Sequence, residues 1–129
     1  MKNNISEAEA ELMQIIWDSR DDKGNYLPVS TNVIAEKVKD KWSVSAVSTF
    51  LVRMEKKGFI KSDKQGRCNV FTAVVRESEY KAEESRRFID RLYNGSIRGL
   101  LASLCDNHAT QEELEEIEKL LQEAKKKSR

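Results

Sequence analysis

The sequence predicts a mainly α fold with a small β component (α+β), and three observations carry that prediction. Apolar residues recur at three- and four-residue spacing through most of the 129-residue chain. Serine or threonine stands just ahead of several of those runs, where a helix needs an N-cap. One pair of short β-prone stretches around a polar, glycine-containing turn interrupts the helical pattern between Phe59 and Val75. Over the first 75 residues the order reads helix, short strand, helix, helix, strand, turn, strand.

Ser6 reads as the N-cap of a helix over residues 7–19, and Glu9 completes a capping box. Ala8, Leu12, Ile15 and Ile16 form its buried stripe, the glutamates are expected to face water, and Trp17 closes one end of the core. Residues 20–25 are a polar loop. Residues 26–29 suit a short strand before Ser30 or Thr31 caps a second helix, residues 32–41, which buries Val33, Ile34 and Val38. A few residues around Trp42 lead to a third helix capped by Ser43. Val44, Val47, Leu51 and Met54 make its inward stripe, and Gly58 stops it behind Lys56 and Lys57. Phe59 and Ile60 open one strand and residues 70–75 make the next, with Asp63, Lys64, Gln65, Gly66 and Arg67 as the turn. Two helices joined tightly and followed by a β-hairpin are a winged helix-turn-helix with a small hairpin wing, assigned to residues 1–77.

Residues 78–126 read as helices only, ahead of a frayed tail at 127–129. A charged helix over residues 78–93 carries Tyr80, Phe88, Ile89 and Leu92, and Asn94 and Gly95 break it. Ile97, Leu100, Leu101 and Leu104 form a more apolar segment, and residues 106–109 a loop. Thr110 then caps a last helix with Glu113 in the capping-box position. Leu114, Ile117, Leu120 and Leu121 give that helix a seam. Roughly 50 residues of such helices cannot bury their apolar faces alone. They either fold back on the N-terminal core or pair with a second copy, and the charged helix in between favours a projecting arm and a homodimer. Phe88, Leu92, Ile97, Leu100, Leu101, Leu104, Leu114, Ile117, Leu120 and Leu121 are its expected dimerisation residues.

Composition excludes several classes. Hydrophobic residues are 39% and charged residues 35%, as suits a helix-rich protein with charged faces, and no run approaches the ~20 apolar residues of a membrane span. Residues 1–6 lack the form of a signal peptide, so a cytoplasmic protein without membrane insertion is expected. Cys68 reads as a small core residue of a strand, and Cys105 beside His108, the one histidine, is at most half a metal site. No cofactor or metal is expected. With no nucleophile–base pair, phosphate loop or paired-carboxylate site, the chain does not read as an enzyme.

Charge points elsewhere. Residues 1–22 hold two basic and six acidic side chains, net −4, whereas residues 37–67 hold nine basic and three acidic, net +6. A segregated positive cluster on a helix and hairpin reads as a double-stranded DNA surface. If the third helix turns Val44, Val47 and Leu51 inward, Ser45, Ala46, Ser48 and Thr49 after Ser43 face bases or backbone. Lys41, Arg53, Lys56, Lys61, Lys64 and Arg67 are then the phosphate-neutralising set. For Arg53 the alternative is an ion pair with Glu36; for Lys64 and Arg67 it is a solvated turn. For the whole chain the alternative is a winged-helix adaptor acting through protein–protein contacts.

Three strings, ISEAEAELMQIIW, WSVSAVSTFLVRMEKKGFI and RRFIDRLYNGS, resemble the penicillinase-repressor family (BlaI/MecI, with the copper-responsive CopY type as a branch). The resemblance runs from Ile5 to about Leu121. It implies a bacterial transcriptional repressor, a dimer with an N-terminal winged helix and a C-terminal helical dimerisation domain, binding a palindromic operator. In the β-lactam branch it also implies a membrane sensor-protease that triggers cleavage in the dimerisation region. The chain departs from the pattern in a longer loop over residues 19–29. It also departs on the recognition-helix face, where Ser45, Ala46, Ser48 and Thr49 stand where basic or threonine residues are common. Ser103-Leu104 replaces the Asn-Phe cleavage junction, and the CxC pairs of the copper branch are absent.

Overall fold

The computed structural model describes residues 5–128. Met1 to Asn4 and Arg129, on which part of the leader and tail expectations rest, lie outside them. Two compact units divide the chain, Met1–Tyr80 and Lys81–Arg129.

The first unit runs α1 (Glu7–Asp18), β1 (Val29–Ser30), α2 (Thr31–Lys37), α3 (Val44–Lys56), β2 (Ile60–Gln65), β3 (Cys68–Ala73) and the first turn of α4 (Glu77–Tyr93). The three strands form one antiparallel sheet in the order β1-β3-β2, with Val29 opposite Phe71 and Ile60 opposite Ala73. Leu12, Met13 and Ile16 of α1, Ile34 of α2, and Val47, Leu51 and Met54 of α3 are excluded from solvent and meet Phe59, Ile60 and Phe71 in a single core. Trp17 closes that core as its sequence position suggests. Its indole N–H donates to the Val75 carbonyl at 2.9 Å, and its ring lies 6.0 Å from that of Tyr80.

Local chemistry explains where the elements start. Ser6 and Glu9 form the complete capping box, and Ser30, Ser43 and Ser96 each accept from the backbone N–H three residues on. The hairpin turn is tighter than the sequence suggests: Asp63, Lys64 and Gln65 belong to β2, and β3 starts at Cys68. Only Gly66 and Arg67 remain between the strands, with Gly66 at φ +66°. A two-residue loop with glycine first matches the twist of the flanking strands, so the ladder runs to the tip.

Four expectations of burial fail, each for a tertiary reason. Glu9 does not face water: it is 2% exposed, because Lys57 at the end of α3 reaches its Oε1 at 2.7 Å. Burial pushes the Glu9 carboxyl up, but the hydrogen bonds and charge of Lys57 with the Ser6 cap outweigh it, and its pKa lies below the ordinary value. Helix α2 ends at Lys37, short of residue 41, and Val33 is 47% exposed because only Ile34, Ala35 and Val38 face the core. Val44 is 57% exposed, since the first turn of α3 projects beyond the core that begins at Val47. Cys68 is exposed, not a core residue, because the burial in β3 starts at Val70.

The second unit holds the rest of α4, α5 (Ile97–Asn107) and α6 (Gln111–Lys127). Asn94 at φ 51° and Gly95 at φ 81° end α4. Helix α5 continues through Asp106 and Asn107, so the loop is shorter than the sequence suggests, and α6 stays helical through Lys127. Thr110 and Glu113 form a second full capping box. Among its described residues only Ile89 is buried; no residue of α5 or α6 is.

Candidate nucleic-acid interface

Helices α2 and α3 are joined by residues 38–43. The N–H groups of Lys41 and Trp42 both donate to the Val38 carbonyl, at 2.9 and 3.0 Å, closing a tight turn. Trp42 stands edge-on to Phe50, ring centroids 5.6 Å apart, and so sets the angle at which α3 leaves the turn. The Ser43 oxygen accepts from the Ala46 N–H at 3.1 Å, which fixes the first turn of α3.

The outward face of α3 carries Val44, Ser45, Ser48, Thr49, Val52, Arg53 and Lys56, all exposed, with Ala46 half-buried beside them. Two of its hydroxyl groups serve the helix: Ser43 as the cap, and Thr49, which donates to the Ser45 carbonyl at 3.1 Å. Ser45 and Ser48 keep both donor and acceptor capacity. Exposed Val44 and Val52 flank Ser48 at four-residue spacing, giving the face two apolar points that periodicity assigned to the core or left unassigned. Thymine methyls are the apolar feature of a major groove that such side chains suit.

The wing approaches this face. Ser48 of α3, Thr31 and Asn32 at the start of α2, and Arg67, Cys68 and Asn69 at the wing tip line one cleft of about 200 Å³. Lys64 pairs with Asn69 across the hairpin and, by strand alternation, shares a face with Ser62 and Ile60. Lys61 shares the opposite face with Asp63. The cleft therefore joins Ser48 to Arg67, while Lys64 lies on the strand face of its pair partner Asn69 and Lys61 on the other.

Among the described residues, Arg53, Lys56, Lys61, Lys64 and Arg67 have no carboxylate within ion-pair distance. The alternative pair of Arg53 with Glu36 does not form; Glu36 instead holds Lys39 at 2.6 Å. Lys41 differs from the other five: its ammonium binds Glu11 at 2.6 Å and lies 5.8 Å from the Trp42 ring centroid. Among the described residues no cluster of three His, Cys, Asp or Glu is placed to hold a metal ion, and no helix is long and apolar enough to cross a membrane.

A helix-turn-helix that presents a hydroxyl-bearing helix beside a basic hairpin defines the winged-helix class. Within that class the match is closer. The family model described as "Penicillinase repressor" matches residues 5–123, and the chain belongs to that family. It is 30% identical over 128 residues to the penicillinase repressor of Bacillus licheniformis, covering 97% of this chain and 94% of that one. It is 32% identical over 119 residues to the methicillin resistance regulatory protein MecI of Staphylococcus aureus, covering 91% and 92% respectively. The solution structure of the DNA binding domain of the repressor BlaI superposes with a TM-score of 0.50 at 33% identity, over 62% of this chain and 94% of that one.

Proposed function

We propose that this protein is a sequence-specific, DNA-binding transcriptional repressor that grips a palindromic operator as a homodimer. The observation that carries the reading is the convergence of the exposed face of α3 with a wing whose Lys64 and Arg67 have no internal ion pair. Helix α3 is the reading element, with Ser45, Ala46, Ser48 and Thr49 toward the bases. Arg53, Lys56, Lys64 and Arg67 neutralise phosphates, and Lys61 meets backbone from the far face of the wing. Lys41 must first exchange Glu11 for a phosphate, so its contribution is the smallest of the set. The work is recognition; the family reading calls for no catalysis.

The apolar surface of the second unit supports the dimer. Leu92 and Leu120 are 60% and 63% exposed, and Phe88, Ile97, Leu104 and Leu121 also face solvent in the single chain. Leu100, Leu101, Leu114 and Ile117 are only half-buried. A two-fold partner is the commonest way to cover such a surface, and it would set two α3 helices ~34–36 Å apart on one face of a duplex.

Relief of repression by a sensor-protease would have to reach Ser103-Leu104 inside α5. Both residues are exposed, but the Ser103 hydroxyl donates to the Leu100 carbonyl at 2.9 Å, and the backbone there is helical. A protease needs an extended segment, so such cutting requires α5 to open locally.

One observation favours a second reading, a winged-helix adaptor for protein partners. The outward face of α3 exposes Val44 and Val52 and carries no cation before Arg53. Footprinting of the purified protein on its own upstream DNA, across a range of salt, tests both. A protected palindrome with half-sites about one helical turn apart, weakening steeply with salt, is the expected result. Weak, unlocalised binding that ignores salt would favour the adaptor.

A further inference from the structure

We infer that Glu55 is a positioning residue that fixes the wing against the recognition helix and so decides whether Lys64 and Arg67 can meet a DNA backbone. The inference rests on the DNA-binding reading above. Glu55 lies in the last turn of α3, and its Oε2 accepts two hydrogen bonds from one residue of the wing. The Ser62 backbone N–H donates at 3.2 Å and the Ser62 hydroxyl at 2.8 Å. Strand β2 is the edge of the sheet, so its outward N–H groups have no ladder partner. Glu55 satisfies one of them. Ser62 sits opposite Phe71, one pair before Val70, the outermost buried residue of the hairpin. Beyond it Lys64 pairs with Asn69, and the tip reaches the cleft shared with Ser48. The brace therefore acts where the wing stops being held by the core and starts being free.

Charge sharpens the argument. Glu55 is one of three carboxylates among residues 37–67, on a helix whose exposed face otherwise ends in Arg53 and Lys56. Electrostatics alone would have its removal strengthen DNA binding. Loss of a brace would weaken it. The two accounts differ in sign.

The test uses the full-length protein, a mixed-sequence DNA duplex long enough for both half-sites, and affinity measured against salt, with thermal melts confirming that each variant is folded. Glu55→Gln keeps an oxygen that accepts both bonds but removes the charge; it should bind at least as tightly as the parent with an unchanged salt slope. Glu55→Ala should bind roughly tenfold more weakly, with a log–log slope shallower by about 2 as two phosphate contacts are lost. Ser62→Ala, which keeps the backbone N–H, should fall between them. Alanine at Glu55 binding as tightly as glutamine, with the parent's slope, would overturn the brace and leave the DNA-binding reading intact. A parent protein without salt-dependent binding would overturn that reading and this inference together.

Discussion

The two units spend their apolar residues in opposite ways. In Met1–Tyr80 the large side chains of three helices and a sheet converge, and seven of them, from Leu12 to Met54, show no exposed surface. In Lys81–Arg129, helices with equally regular apolar spacing bury only Ile89 among the described residues. Both have good caps, including a complete capping box each. Periodicity and capping make helices; they do not make a core. What separates the units is whether the stripes find one another within a single chain; the homodimer proposed above would cover those that do not.

The largest way to break this contrast is inside the first core. Leu51→Ala leaves a cavity where nothing can collapse easily and should cost about 2–5 kcal/mol in chemical denaturation. A loss below about 1 kcal/mol would mean that the core is looser than its burial indicates. Ile117→Asp, on the second unit, should leave the first unit's melting unchanged. Placing an unpaired carboxylate in an apolar seam costs several kcal/mol, so sedimentation should show monomers and operator affinity should fall with the dimer. A mutant that still sediments as a dimer would remove Ile117 from the interface.

Glu9→Gln probes the charged pair at the edge of the first core, with an expected loss of about 2 kcal/mol. Its pH dependence has a definite sign. The folded carboxyl titrates below its ordinary value of 4.5, so its contribution is present above that pH and disappears as pH falls further. The difference between parent and mutant should therefore shrink in acid and stay constant from neutral pH down to about 5. Lys64→Ala with Arg67→Ala should lower the salt slope of DNA binding by about 2 without touching stability. Smallest of all, Val33→Ala and Val44→Ala should each change unfolding free energy by no more than about 0.5 kcal/mol. A large loss at either would restore it to the core that its spacing suggested.

Most element boundaries were legible because their causes are local. A serine or threonine, the amide three residues on, and a glutamate at that same position make the caps of Ser6 and Thr110 readable in one glance at the chain. Gly58 and Asn94-Gly95 marked helix ends for the same reason. Misreadings occurred where the deciding partner is distant in sequence. Glu9 looked like a solvated glutamate because Lys57 stands 48 positions away. Val44 and Val33 fit an apolar stripe whose limit is set by neighbouring elements, not by spacing. The wing ladder was underestimated because two-residue turns and longer polar turns share the same composition. The candidate site followed the same rule. Its charges and the helix bearing it were visible, whereas the cleft joining Ser48 to Arg67 and the link from Glu55 to Ser62 needed the hairpin folded back on the helix.

Trp17 and Trp42 are the chain's two tryptophans, and both lie in the first unit, the former sealed in the core and the latter half-open in the turn beside Lys41. The molecule thus carries its own optical labels, distributed unevenly. Tryptophan fluorescence, excited where tyrosine does not absorb, follows the first unit alone, while far-ultraviolet circular dichroism weighs all six helices of the described residues. Recording both signals along one denaturation curve would reveal, without a single added dye, whether the halves come apart together or in turn.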